Sequence, residues 1–119
     1  MADQRRVFKV AEKIRAILSR ELSRTPDPRF ALVTITSIVV SPDLRIAKVY
    51  WTVNGDDARI TETKEALETS SGPLRRAVGS ELGTRFVPSL KFFYDETLDR
   101  MEEVERLFQK IHAQEAEKE

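Results

Sequence analysis

Ser70-Ser71-Gly72-Pro73-Leu74-Arg75-Arg76 joins two segments that both read as helix. A Gly-Pro pair should end a helix, yet helical periodicity resumes at once. The stretch therefore predicts a sharp corner over Ser70–Gly72 rather than a loop. A second helix starts behind it with open backbone N–H groups and two arginines just inside. Pro73 suits the first helical position, because its missing N–H has no intrahelical partner there anyway. A helix N-terminus flanked by cations is suited to phosphate. Ser70, Ser71, Gly72, Arg75 and Arg76 are accordingly candidate contacts for a polyanion.

Working outward, Ile60 to Thr69 is weakly amphipathic and predicts the helix before the corner. Pro73 to Thr84 predicts the one after it. Leu74, Ala77, Val78 and Leu82 fall on its inward face, while Arg75, Arg76, Gly79 and Gly83 group on the other. Glycine costs about 1 kcal/mol in a helix interior, so two on one face need a reason. Gly83 reads as a C-terminal cap. Gly79 leaves room for the close approach of another backbone, protein or nucleic acid. After Pro88, Leu90 to Tyr94 predicts a short strand, and Arg85 adds charge beside it.

Upstream, Phe30 to Val40 is rich in β-branched residues and predicts a strand. Its alternation slips near Thr36-Ser37, which fits a bulge or a strand buried on both faces. Ser41-Pro42-Asp43-Leu44 is a turn, and Ile46 to Val53 is the returning strand of a hairpin. Ala47, Val49, Trp51 and Val53 share its inner face; Lys48, Tyr50 and Thr52 share the outer. Arg45 and Lys48 place cations around the hairpin, and Tyr50 is placed either to stack on a base or to complete the core edge. Arg5 to Ser23 predicts a first helix with an apolar stripe of Val7, Val10, Ala11, Ile14, Ile17, Leu18 and Leu22. Glu21 falls inside that stripe and needs a partner, for which Arg29 is the candidate. Val104, Leu107, Phe108 and Ile111 mark a last helix. The order is α-β-β-α-kink-α-β-α, an α+β fold with a three-stranded sheet packed by helices. Residues 1–112 form one domain on this reading. Residues 113–119, with nothing apolar larger than alanine, are expected to be a disordered polar tail.

Much chemistry is ruled out. The chain has 119 residues and no cysteine, so disulfides, thiolate catalysis and cysteine-ligated zinc are excluded. His112 is the one histidine, which leaves no partner for a metal site or a Ser/His/Asp arrangement. Asp95, Glu96, Asp99, Glu102 and Glu103 cluster where acidic groups favour the start of a helix; a weak divalent-cation site is the alternative. Neither a phosphate-binding loop nor a dinucleotide fingerprint occurs. The sequence argues for no enzyme and no cofactor. It also has no apolar run near the roughly 20 residues that span a bilayer. It reads as a soluble, cytoplasmic protein with no membrane partner.

The net charge is zero, but it is graded along the chain. Residues 1–29 carry eight basic and four acidic side chains, and residues 92–119 carry four basic and nine acidic ones. A basic front and an acidic end suggest one side that faces a polyanion, against the plainer reading of solvated helix faces. On the first helix Arg6, Lys9, Lys13 and Arg20 fall within about 60° of one another. This ridge, with Arg5 beside it, suits a phosphate backbone.

The ordering, with a helix–corner–helix between strands two and three, resembles the type II KH fold. That fold clamps nucleic acid at a Gly-x-x-Gly loop, of which only Gly72 is present here. The whole chain resembles the ribosome-binding factor A family. Arg5-Arg6-Val7, Asp27-Pro28-Arg29, Val33-Thr34-Ile35-Thr36 and Val40-Ser41-Pro42-Asp43-Leu44 carry the likeness in the first half. Gly72-Pro73-Leu74-Arg75, Leu82, Arg85, Val87-Pro88, Leu90, Phe92 and Asp95 carry it in the second. Ser70 stands where the family's corner has alanine, and as a small residue able to cap a helix it should preserve the kink. Ser89 stands where glutamate is common. The resemblance implies a non-enzymatic factor that binds the immature small ribosomal subunit and its rRNA. It further implies help in maturing the rRNA 5′ end, departure before translation, importance in the cold, and a link to assembly GTPases. A monomer is expected. The alternatives are a generic single-strand RNA binder and a protein-interaction module using the Gly79 face.

Overall fold

The computed structural model describes residues 4–118. Its elements are α1 (Gln4–Arg24), a single 3₁₀ turn (Pro28–Phe30), β1 (Thr34–Val40), β2 (Ile46–Thr52), α2 (Asp57–Thr69), α3 (Ser71–Leu82), β3 (Ser89–Tyr94) and α4 (Thr97–Lys118). The fold is α+β, in the expected order. β1 and β2 form an antiparallel hairpin, and β3 joins β2 in parallel, so the sheet order is β1-β2-β3. The slip between Ile35 and Ser37 is a true register shift. It lets Ile35 and Val40 both face inward although their spacing breaks simple alternation.

One face of the sheet is covered and the other is open. Ala47, Val49 and Trp51 are fully buried under Ile14, Leu18, Leu67 and Val78 from the three packed helices. The apolar stripe of α1 is buried as expected at Val10, Ala11, Ile14, Ile17, Leu18 and Leu22. Trp51 meets Tyr94 edge-on at 5.2 Å between ring centres.

Several boundaries differ from the sequence reading. Phe30 is not in β1; it is buried in the 3₁₀ turn that Asp27 caps by accepting the Arg29 N–H. α2 begins at Asp57 because Asp56 accepts the Arg59 N–H at 2.9 Å. Arg59 then donates to the Ala31 carbonyl at 2.9 Å and ties α2 to the 3₁₀ turn. Glu21 does not pair with Arg29. Arg29 binds Asp27 two residues away at 2.7 Å, and Glu21 lies 3.5 Å from Arg20. The local partner wins because it costs less chain entropy to align.

The tail is also different. α4 runs unbroken through residue 112 to Lys118, whereas 113–119 was expected to be disordered; Glu119 lies outside the described residues. Ala, Gln, Glu and Lys are strong helix formers, and extending an existing helix needs no new nucleus. Every side chain described in α4 is exposed. The helix projects from the body and stretches the molecule to 66 Å.

Candidate nucleic-acid interface

The corner is real and consists of one residue. Ser70 has φ −89° and ψ 2°, outside the helical region, and separates α2 from α3. Its N–H donates to the Ala66 carbonyl and its own carbonyl accepts the Leu74 N–H, both at 3.0 Å. Its side chain makes no capping bond, so the backbone holds the kink rather than the expected hydroxyl. α3 starts at Ser71, which puts Pro73 third rather than first. Proline still falls in the opening turn, where N–H groups lack carbonyls behind them. Ser71 and Gly72 present the first N–H groups of α3. An added Cβ at Gly72 would meet nothing within 4 Å, so packing does not demand glycine there.

A groove of about 640 Å³ runs beside this corner, lined by Gly72, Arg75, Arg76, Gly79, Arg85, Phe86 and Val87. It brings four of the expected residues together. Arg75 is largely committed within the protein, donating through Nη2 to the Val87 carbonyl at 2.8 Å and through Nε to the Pro88 carbonyl at 3.3 Å. It pins the loop between α3 and β3. Arg76 is exposed on the rim. Arg85 lies over the Phe86 ring at 5.4 Å, a cation–π contact, and both residues line the groove.

Gly79 has an internal reason. A Cβ there would approach Val87 Cγ2 to 2.9 Å, so Gly79 admits the side chain that floors the groove. Close packing within the chain accounts for it without an external partner. Gly83 caps α3 in the left-handed region at φ 71°, as expected.

The basic ridge of α1 divides in two. Lys13 Nζ donates to the Leu82 carbonyl at 3.4 Å, at the negative end of α3. Arg20 is ion-paired with Glu81, which holds the Glu81 carboxyl below its ordinary range. These two cations dock α1 on α3. Arg5, Arg6 and Lys9, nearer the start of α1, are exposed. Arg45 sits at the hairpin end, 4.0 Å from Asp43.

Lys48 is on the open face of the sheet, away from the helices that carry the corner. There it stands beside Lys91 across the β2–β3 pairing. Tyr50 is half-buried and stacks on Phe93 at 5.6 Å, one row along. The sequence reading missed Lys91, Phe93 and Phe86. Alternation in β3 would have placed the first two on the outer face; Phe86 carries no periodic signal in its loop.

Among the described residues no group of three or more His, Asp or Glu side chains could hold a metal ion. Within the acidic run, Asp99 lies in the first turn of α4 and Asp95 just before it. Asp95 Oδ1 accepts the Thr97 N–H at 3.0 Å and Oδ2 accepts the Thr36 hydroxyl at 2.5 Å. Those bonds hold its carboxyl below the usual aspartate range. No described helix is long and apolar enough to cross a membrane.

The chain is similar to known proteins over most of its length. The model of the family described as ribosome-binding factor A matches residues 6–108. A ribosome-binding factor A from Acidothermus cellulolyticus is 40% identical over 118 residues, covering 98% of this chain and 79% of the relative. Its counterpart from Citrifermentans bemidjiense is 38% identical and covers 92% of each chain. Among solved structures, a putative ribosome-binding factor A from Thermotoga maritima superposes with a TM-score of 0.67 at 26% identity, over 78% of this chain and 90% of that one. The Thermus thermophilus factor, fitted as a homology model into a cryo-EM map of its 30S complex, shares the fold with a TM-score of 0.60 at 22% identity, over 72% of this chain and 91% of that one.

Proposed function

The chain belongs to the ribosome-binding factor A family, and from that premise we propose that it is a non-enzymatic assembly factor that docks on rRNA of the immature small ribosomal subunit. The carrying observation is the groove at the α2–α3 corner. Gly72, in the first turn of α3, is exposed there, with Arg76 and Arg85 alongside. Backbone donors at a positive helix end, next to guanidinium groups, suit phosphate oxygens. Arg5, Arg6 and Lys9 supply a second patch on α1, and Ser70, Lys13, Arg45 and Arg75 shape or border the surface. The 30S complex of the Thermus relative supports the choice of partner.

The fuller activity is part of the proposal: a cytoplasmic monomer that assists maturation of the rRNA 5′ end, matters most in the cold, and leaves before translation with the help of assembly GTPases. Gradient fractionation of a cell extract tests it. The protein is expected to travel with free small subunits and to be missing from translating ribosomes. A position at the top of the gradient, with neither, would refute the reading.

A generic single-strand RNA binder has one observation in its favour, the stacked Tyr50–Phe93 pair beside Lys48 and Lys91. Tight, sequence-dependent binding of short oligonucleotides without the subunit would favour it.

A further inference from the structure

α4 carries an apolar stripe with nothing against it. Leu98, Met101, Val104, Leu107, Phe108 and Ile111 are each 49–61% exposed. Met101, Val104, Phe108 and Ile111 fall within about 80° of one another on the helix. Glu102 and Glu105 flank one side. A contiguous apolar surface of this kind on a soluble chain marks a contact.

The open face of the sheet is also uncovered, and its pattern is complementary. From the β3 end inward it shows the Tyr50–Phe93 row, then the Val39–Lys48–Lys91 row, then the Ile46–Ser89 row. Val39, Ile46 and Phe93 are 54%, 41% and 43% exposed. The face is thus aromatic, then cationic, then aliphatic.

The spacings agree. Along β3, Phe93, Lys91 and Ser89 lie about 3, 10 and 17 Å back from Tyr94. Along α4, Met101, Glu105 and Phe108 lie about 6, 12 and 16 Å beyond Thr97. A helix reversed at Asp95-Glu96 sets Met101 over Tyr50 and Phe93, Glu105 beside Lys48 and Lys91, and Phe108 over Ile46. Sulfur on aromatic rings, carboxylate on ammonium and apolar on apolar are all favourable pairings. A cleft of about 220 Å³ between Tyr50, Thr97 and Arg100 already lies in the angle where α4 leaves the sheet. One bond between α4 and the end of β3, the Tyr94 hydroxyl donating to Asp99 at 2.8 Å, is exposed.

We propose that α4 folds back onto the open sheet face of its own chain, its acidic apolar stripe occupying the Lys48–Lys91 and Tyr50–Phe93 surface. The inference is independent of the small-subunit reading, which rests on the corner of α3 on the other side of the sheet. Closure withdraws Lys48 from any phosphate-binding surface and leaves Arg76 and Arg85 exposed.

The cysteine-free chain allows a single nitroxide at Gln109→Cys, an exposed position beside the stripe. In the ¹⁵N-labelled 119-residue chain, amide peaks of Val39, Ile46, Lys48 and Lys91 should weaken at least twofold relative to the reduced label. The loss should persist on tenfold dilution and be reversed by Glu102→Lys with Glu105→Lys. Undiminished peaks would overturn the proposal. So would broadening seen only when nitroxide-bearing and ¹⁵N chains are mixed, which assigns the face to a second copy. Shifts of Tyr50 and Phe93 on adding an oligouridylate, without broadening from the label, would give the face to RNA and overturn it as well.

Discussion

Replacing Gly72 by alanine separates packing from ligand contact. The glycine sits at the second position of α3, its φ is not positive, and an added Cβ would have open space for 4 Å. Alanine there loses less backbone entropy on folding and should stabilise the protein by about 0.4–1 kcal/mol. The same methyl stands beside the Ser71 and Gly72 N–H groups, where a phosphate oxygen must come within about 3 Å to accept a bond. Loss of one charge-assisted bond is worth about 1.5–3 kcal/mol, or roughly tenfold to a hundredfold in affinity. Urea unfolding followed by Trp51 fluorescence reads the first quantity, since Trp51 is the one tryptophan and is fully buried. Co-sedimentation with purified small subunits reads the second. Stability should rise while binding falls. A protein that is destabilised, or that binds as tightly as before, would refute the reasoning that glycine is kept for an approaching ligand.

Three further outcomes are expected. Gly79→Ala should destabilise by about 1 kcal/mol, because overpacking against Val87 outweighs the helix-propensity gain; adding Val87→Ala should make the pair non-additive by at least that much in the same unfolding assay. Arg75→Ala should cost about 1–2 kcal/mol through its two bonds to loop carbonyls, whereas Arg76→Ala should stay within about 0.5 kcal/mol, as thermal denaturation would show. The Asp95 carboxyl titrates lower folded than unfolded, where aspartate sits near 3.9. Its contribution to stability is therefore complete above that value and lost as pH falls through the folded pKa. Thr36→Val should raise the folded pKa in an NMR titration and shrink that loss.

The parts of the fold that were legible in the sequence are those written in a repeating local pattern. The α1 stripe, the inner face of β2 and the Gly83 cap each follow from spacing alone. The slip at Thr36-Ser37 was visible as broken alternation, though the sequence left open whether a bulge or double burial caused it. What was illegible depended on partners distant in the chain or on groups without periodicity. Phe30 looked like the start of a strand because it is apolar and precedes β-branched residues; Asp27 and Arg59 decide otherwise. Gly79 could not be read without knowing that Val87 returns to meet it. Arg75 and Arg76 are neighbours of the same type, yet one is bound to loop carbonyls and the other faces the groove. Lys13 and Lys48 were read as one kind of cation, but the first anchors α3 and the second lies on the opposite side of the sheet.

The central claim is that exposed guanidinium groups at the α3 corner hold the chain on ribosomal phosphate. The most direct measurement is the affinity of purified small subunits for the Arg76→Glu, Arg85→Glu double variant at two salt concentrations. The account predicts a folded protein, binding weakened by at least tenfold, and a shallower loss of affinity with added salt than in the parent. Unchanged affinity and an unchanged salt slope would contradict it.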